Sequence, residues 1–117
     1  MKKALLFAVA AIFTAVTTAS AHPPSDIKIT FDPQTHVLHA VIMHNTSNPI
    51  NHYIKKADIG LNGKEIASVS FTRQENNEYQ TVTYSIPDAK NGDVVSVEGY
   101  CSISGKLEKK ITVQPKP

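Results

Sequence analysis

Five histidines (His22, His36, His39, His44 and His52) and one cysteine, Cys101, are the residues of this chain whose types are suited to chemistry. Imidazole and thiolate together are ligands for iron, copper or zinc, so the donor types point to a transition metal without choosing one. Three of the six, His44, His52 and Cys101, stand where the hydrophobic pattern predicts strands to end or begin. Such positions hold a ligand on firm backbone while leaving it near solvent, within reach of a small substrate. His36 and His39 lie on a predicted strand with no motif around them and read as surface residues.

The elements that must position these side chains are strands. His22-Pro23-Pro24 forbids a helix interior and favours an extended entry. Ile27, Ile29 and Phe31 then alternate with Lys28, Thr30 and Asp32, the period of a half-buried strand. After a turn at Asp32-Pro33-Gln34-Thr35, a strand over 36–44 carries Val37, Val41 and Met43 on one face. Leu38, Ala40, Ile42 and His44 share the other. The segment 45–51, rich in Asn and Ser and holding Pro49, reads as a loop.

A strand predicted from His52 to Leu61 turns at Asn62-Gly63, the strongest short hairpin signal, into a partner over 64–71. A polar connection follows over 72–78, and further strands are predicted over 79–86, 94–102 and 106–114. Seven short strands separated by turn residues, with no amphipathic helical stretch after residue 21, predict an all-β fold, an immunoglobulin-like β-sandwich of about seven strands.

The first 21 residues read as a signal peptide. Lys2 and Lys3 precede an apolar run from Ala4 to Val16, and Ala19-Ser20-Ala21 is a small-x-small cleavage site. The run is too short to span a bilayer and no cysteine follows the site, so no membrane anchor is expected. Cleavage after Ala21 leaves 117 − 21 = 96 residues, and 12 − 2 = 10 Lys+Arg against 10 Asp+Glu. That balance recommends neither nucleic acid nor an anionic membrane as partner, and the length suits one domain, 22–117. The expected location is the periplasm or outside the cell. A lone thiol there is buried, bound to metal, or paired with another chain.

The stretch from His44 to Gly63, HNTSNPINHYIKKADIGLNG, resembles the iron-binding domain of the desulfoferrodoxin and superoxide reductase family. The likeness extends to His22 in His-Pro-Pro and to Cys101 in Tyr-Cys-Ser-Ile-Ser-Gly. It implies a single iron held by His22, His44 and His52 in a plane, with the Cys101 thiolate opposite an open position. The implied activity is one-electron reduction of superoxide to hydrogen peroxide. An external electron donor is implied too, since the chain has no Cys-x-x-Cys for a second iron centre. In this sequence Ser104 stands where the family has its fourth imidazole. Ala21 precedes His22 in place of the family's Glu-Lys pair, and the loop before His52 is longer than the family's.

Two other readings belong beside this one. Cleavage after Ala21 makes His22 the N-terminus, so its α-amine and imidazole resemble the histidine brace of copper proteins, which suits a non-catalytic periplasmic copper-binding or carrier module. An immunoglobulin-like interaction domain that has lost its metal is the third reading.

Overall fold

The computed structural model describes residues 22–116, and the expected signal peptide lies outside them. Seven strands follow one another: β1 (Asp26–Asp32), β2 (Val37–Met43), β3 (Ile54–Leu61), β4 (Lys64–Ser70), β5 (Tyr79–Ser85), β6 (Val94–Cys101) and β7 (Lys106–Thr112). They form two antiparallel sheets, one ordered β1-β2-β5 and the other β4-β3-β6-β7. Among the described residues there is no helix, so the fold is all-β.

The sheets face each other across a core of Leu38, Ala40 and Ile42 from β2, Ala57 and Ile59 from β3, and Val95 and Val97 from β6, all buried. These are the alternate residues that period-two patterning assigns to one face. A Leu38→Ala or Ile59→Ala change would cost about 2–5 kcal/mol through the cavity left in such a core. On β2 the inward parity runs past the end of the strand to His44, which is only 1 % exposed. The core face therefore terminates in an imidazole.

Strand ends differ from the hydrophobic pattern for local reasons. His36 has φ 61°, which no strand can continue, so β2 begins one residue later. His52 is excluded from β3 because its backbone N–H donates to the Asn48 carbonyl at 2.9 Å, closing a turn instead of entering the ladder. Asn62 (φ 52°) and Gly63 (φ 85°) make the tight β3–β4 hairpin, where both central residues require positive φ.

A β-bulge against β6 between Ile54 and Lys56 bears on how the segment after His52 is aimed. It places Lys55 and Lys56 consecutively away from the core, so that Ile54 and Ala57, three residues apart, both point inward. Without it, strict alternation from Ala57 would turn Ile54 outward. The bulge thus sets the aim of the backbone just after His52. At the facing edge, the Lys109 ammonium meets the Asp26 carboxylate at 3.1 Å, tying β7 to the start of β1.

Candidate metal centre

Three segments converge at one end of the sandwich. His22 arrives on the extended entry to β1, His44 follows β2, and His52 precedes β3. Their ring centroids are separated by 4.7 Å (His22–His44), 5.1 Å (His22–His52) and 4.8 Å (His44–His52). One nitrogen from each ring lies within 4.8 Å of the other two, and these three form the one metal-capable group of His, Cys, Asp or Glu found among the described residues.

The loops that deliver the rings are closed by side-chain hydrogen bonds. Asn48 Oδ1 accepts from the N–H groups of Ile50 and Asn51, and Thr46 Oγ1 accepts from Asn48 N–H. Together they wind the 45–51 segment into a compact turn. Backbone bonds fasten this loop to the 72–78 connection: His44 N–H donates to Glu78 O, Thr46 N–H to Asn77 O, and Gln74 N–H to Pro49 O. On the third side, Gly105 (φ 97°) brings the turn after β6 against Pro23, beside His22.

The donor chemistry fits a metal ion. Nδ1 of His44 lies 2.8 Å from Gln74 Oε1, which leaves Nε2 as the ring's other nitrogen. Among the described residues, Nε2 of His44 and Nε2 of His52 are buried with no hydrogen-bond partner. Each such nitrogen costs on the order of 1–3 kcal/mol when left bare, a cost that coordination to a metal offsets. The one other buried orphan is His36 Nδ1, at the opposite end of β2 and outside any metal-capable group among the described residues. His39 is exposed, its Nδ1 within 3.1 Å of Thr83 Oγ1.

Cys101 is placed at the same end but outside the three-imidazole group. It is buried at the close of β6 and pairs in register with Ile54, two residues beyond His52. Its Sγ accepts the Ile103 N–H at 3.4 Å, and Ser104 is exposed in the same turn. For His22, Nδ1 lies 3.1 Å from the Pro23 carbonyl. An amine-plus-imidazole chelate closes through Nδ1, the ring nitrogen nearer the backbone, so this rotamer offers Nε2 rather than the brace.

An open cleft of about 470 Å³ adjoins His22 and His52, lined otherwise by Asn45, Thr46, Ser47, Asn77 and Glu78. Gln74 and these cleft residues escaped the sequence reading. They lie in polar stretches whose composition says loop, and nothing local signals that Gln74 and Thr46 will be buried or that the others will line a cleft beside the imidazoles.

Burial pushes the imidazoles of both His44 and His52 below the ordinary histidine value, and the positive charge of neighbouring imidazoles pushes the same way. The folded state therefore resists a proton that the unfolded chain accepts near pH 6.5. Metal-free protein should be fully stabilised by these two groups above that pH and lose the contribution as pH falls through their lowered folded values. Asp26, Asp32 and Asp93, held below the usual carboxylate value by their hydrogen bonds, act only at more acidic pH. Urea midpoints between pH 7.5 and 5 should decline for the wild-type chain and less steeply for His52→Gln.

Comparison with family models, with curated proteins and with solved structures finds no match to this chain.

Proposed function

We propose that this is an exported mononuclear metal-binding protein, related to the desulfoferrodoxin and superoxide reductase family, whose ligands are His22, His44 and His52. The observation that carries the reading is the pair of buried, unpartnered Nε2 atoms within a three-imidazole group. Three neutral imidazoles suit iron, copper or zinc. The family resemblance favours iron. When bound, iron supplies the single electron that, with two protons, converts superoxide to hydrogen peroxide, and an external donor restores it. The chain's own contribution is to hold the imidazoles on segments that lead into β1 and β3 and out of β2, to bury His44, and to leave the cleft side of His22 and His52 open to a small oxidant.

Cys101 enters this reading through its placement beside Ile54 at the same end of the sandwich. Metal analysis of the exported protein with its natural N-terminus is the primary test: about one ion per chain is expected, and a metal-free protein that binds no iron, copper or zinc sinks the proposal. In the iron-loaded protein, Cys101→Ser should remove any thiolate-to-iron absorption. An unchanged spectrum would place the thiol outside the coordination sphere.

A second reading, metal carriage without catalysis and with copper as cargo, is favoured by the cleft lining. Glu78 is the single charged residue among its non-histidine walls, and no Lys or Arg lines the cleft among the described residues. A carboxylate there attracts cations and repels superoxide. Stopped-flow superoxide decay separates the two readings: catalytic consumption supports reduction, whereas stoichiometric ion transfer to a chelator without consumption supports carriage.

A further inference from the structure

We propose that Gln74 is the positioning residue of this site, fixing His44 as the Nδ1–H tautomer and thereby presenting its Nε2 lone pair; this inference rests on the metal-site reading above. Gln74 is completely buried although it lies in a connection between strands. Its amide orientation is dictated by backbone groups whose roles are unambiguous. Oε1 accepts from the Ile54 N–H at 3.2 Å, while Nε2 donates to the carbonyls of His44 at 2.7 Å and Asn76 at 2.9 Å. A flipped amide would set its NH2 against a donor and its oxygen against two acceptors. The oxygen must therefore face Ile54, and the same oxygen faces His44 Nδ1 at 2.8 Å.

The tautomer follows from that placement. An Nδ1 lone pair directed at Oε1 would oppose two acceptors at 2.8 Å, so Nδ1 carries the proton. Nε2, on the other side of the ring, is buried and makes no hydrogen bond among the described residues. An outer partner that holds a ligand imidazole in one tautomer also fixes the ring's direction, and losing such a partner typically weakens metal affinity about 10–100-fold. Gln74 does more than orient one ring. By bonding the His44 carbonyl and the Ile54 N–H together, it clamps the exit of β2 to the entry of β3, so the two arms that carry His44 and His52 are held in register before any ion arrives.

The test uses the exported protein stripped of metal and held near pH 8, where long-range ¹⁵N–¹H correlation spectra report each imidazole's tautomer. Wild-type His44 should be a single Nδ1–H species. Gln74→Met, of similar length but without the amide, should move His44 toward Nε2–H or a mixture and weaken Zn²⁺ binding roughly 10–100-fold. Gln74→Glu keeps an acceptor toward Nδ1–H and Ile54 while losing both bonds to carbonyls, so it should retain the wild-type tautomer. His52→Ala should weaken Zn²⁺ binding without altering the His44 tautomer. An Nε2–H or mixed His44 in the wild-type protein overturns the proposal, a result that does not depend on Gln74→Met folding. So does a folded Gln74→Met with unchanged tautomer and affinity. Failure of the wild-type protein to bind Zn²⁺, iron or copper overturns the metal-site reading instead, and the tautomer spectra distinguish that outcome.

Discussion

Metal-free protein supplied with an ion at a thousand times its dissociation constant is expected to gain about 4 kcal/mol of stability, because the ion binds the folded site and has no comparable site in the unfolded chain. For a domain of under a hundred residues that corresponds to a rise in Tm of roughly 15–30 °C. The two buried imidazole nitrogens that the folded apo-protein holds without partners enter through the dissociation constant, since coordination removes their penalty. His52→Ala should abolish most of the shift. It removes one of the three proposed ligands, a half-buried ring, so the core is spared, and the affinity loss should exceed the roughly 10–100-fold typical of outer-sphere changes. Calorimetric melts with and without Zn²⁺, iron or copper check this. A Tm that responds equally in wild type and His52→Ala would remove His52 from the site.

Gly105→Ala should damage the site from outside its ligands. The residue has φ 97°, a region costly to any L side chain, and an added Cβ would come within 2.8 Å of Pro23 N and 3.0 Å of Pro23 Cα. Those are backbone atoms of the residue next to His22, so relief requires the entry segment to move. A loss of about 1–3 kcal/mol from strain and overpacking is expected, with a fall in metal affinity as the His22 ring leaves the cluster. Gly92→Ala is the control: with φ 90° it carries comparable backbone strain, but nothing lies within 4 Å of its Cβ, and it precedes β6 at the opposite end from Cys101. It should lower Tm while leaving metal binding intact. Equal affinity losses in the two variants would show that the His22 arm does not depend on the Gly105 contact.

Features governed by neighbours along the chain were legible before any fold was seen. Alternation of Leu38, Ala40, Ile42 and His44 announced both the inward face of β2 and the imidazole at its end. Asn62-Gly63 announced its hairpin because only residues tolerant of positive φ close that turn. The two-sheet, seven-strand architecture followed from such local signals repeated at regular spacing. His52 was legible as a residue beside a strand, although its N–H is captured by Asn48 and the strand begins two residues later.

Convergence was decided by the tertiary structure. His22 and His44 are 22 residues apart, and their meeting depends on the antiparallel register that places Asp26 opposite Met43, information carried by pairing rather than by either segment. The bulge at Ile54–Lys56 that aims the start of β3 shows in the sequence only as a broken alternation, Lys55-Lys56 between Ile54 and Ala57, while its pairing against β6 belongs to the fold. Gln74 is the clearest case. Within a polar connection it resembles any exposed loop residue, and its complete burial comes from backbone donors and acceptors contributed by β3, the end of β2 and its own loop, each of which needed a partner away from water. The sequence by itself determined which side chains had ligand chemistry and which way the β2 face would point. Which of them share one site was left to the fold, because hydrogen bonds between segments 20 and 30 residues apart are satisfied only when the sheets come together.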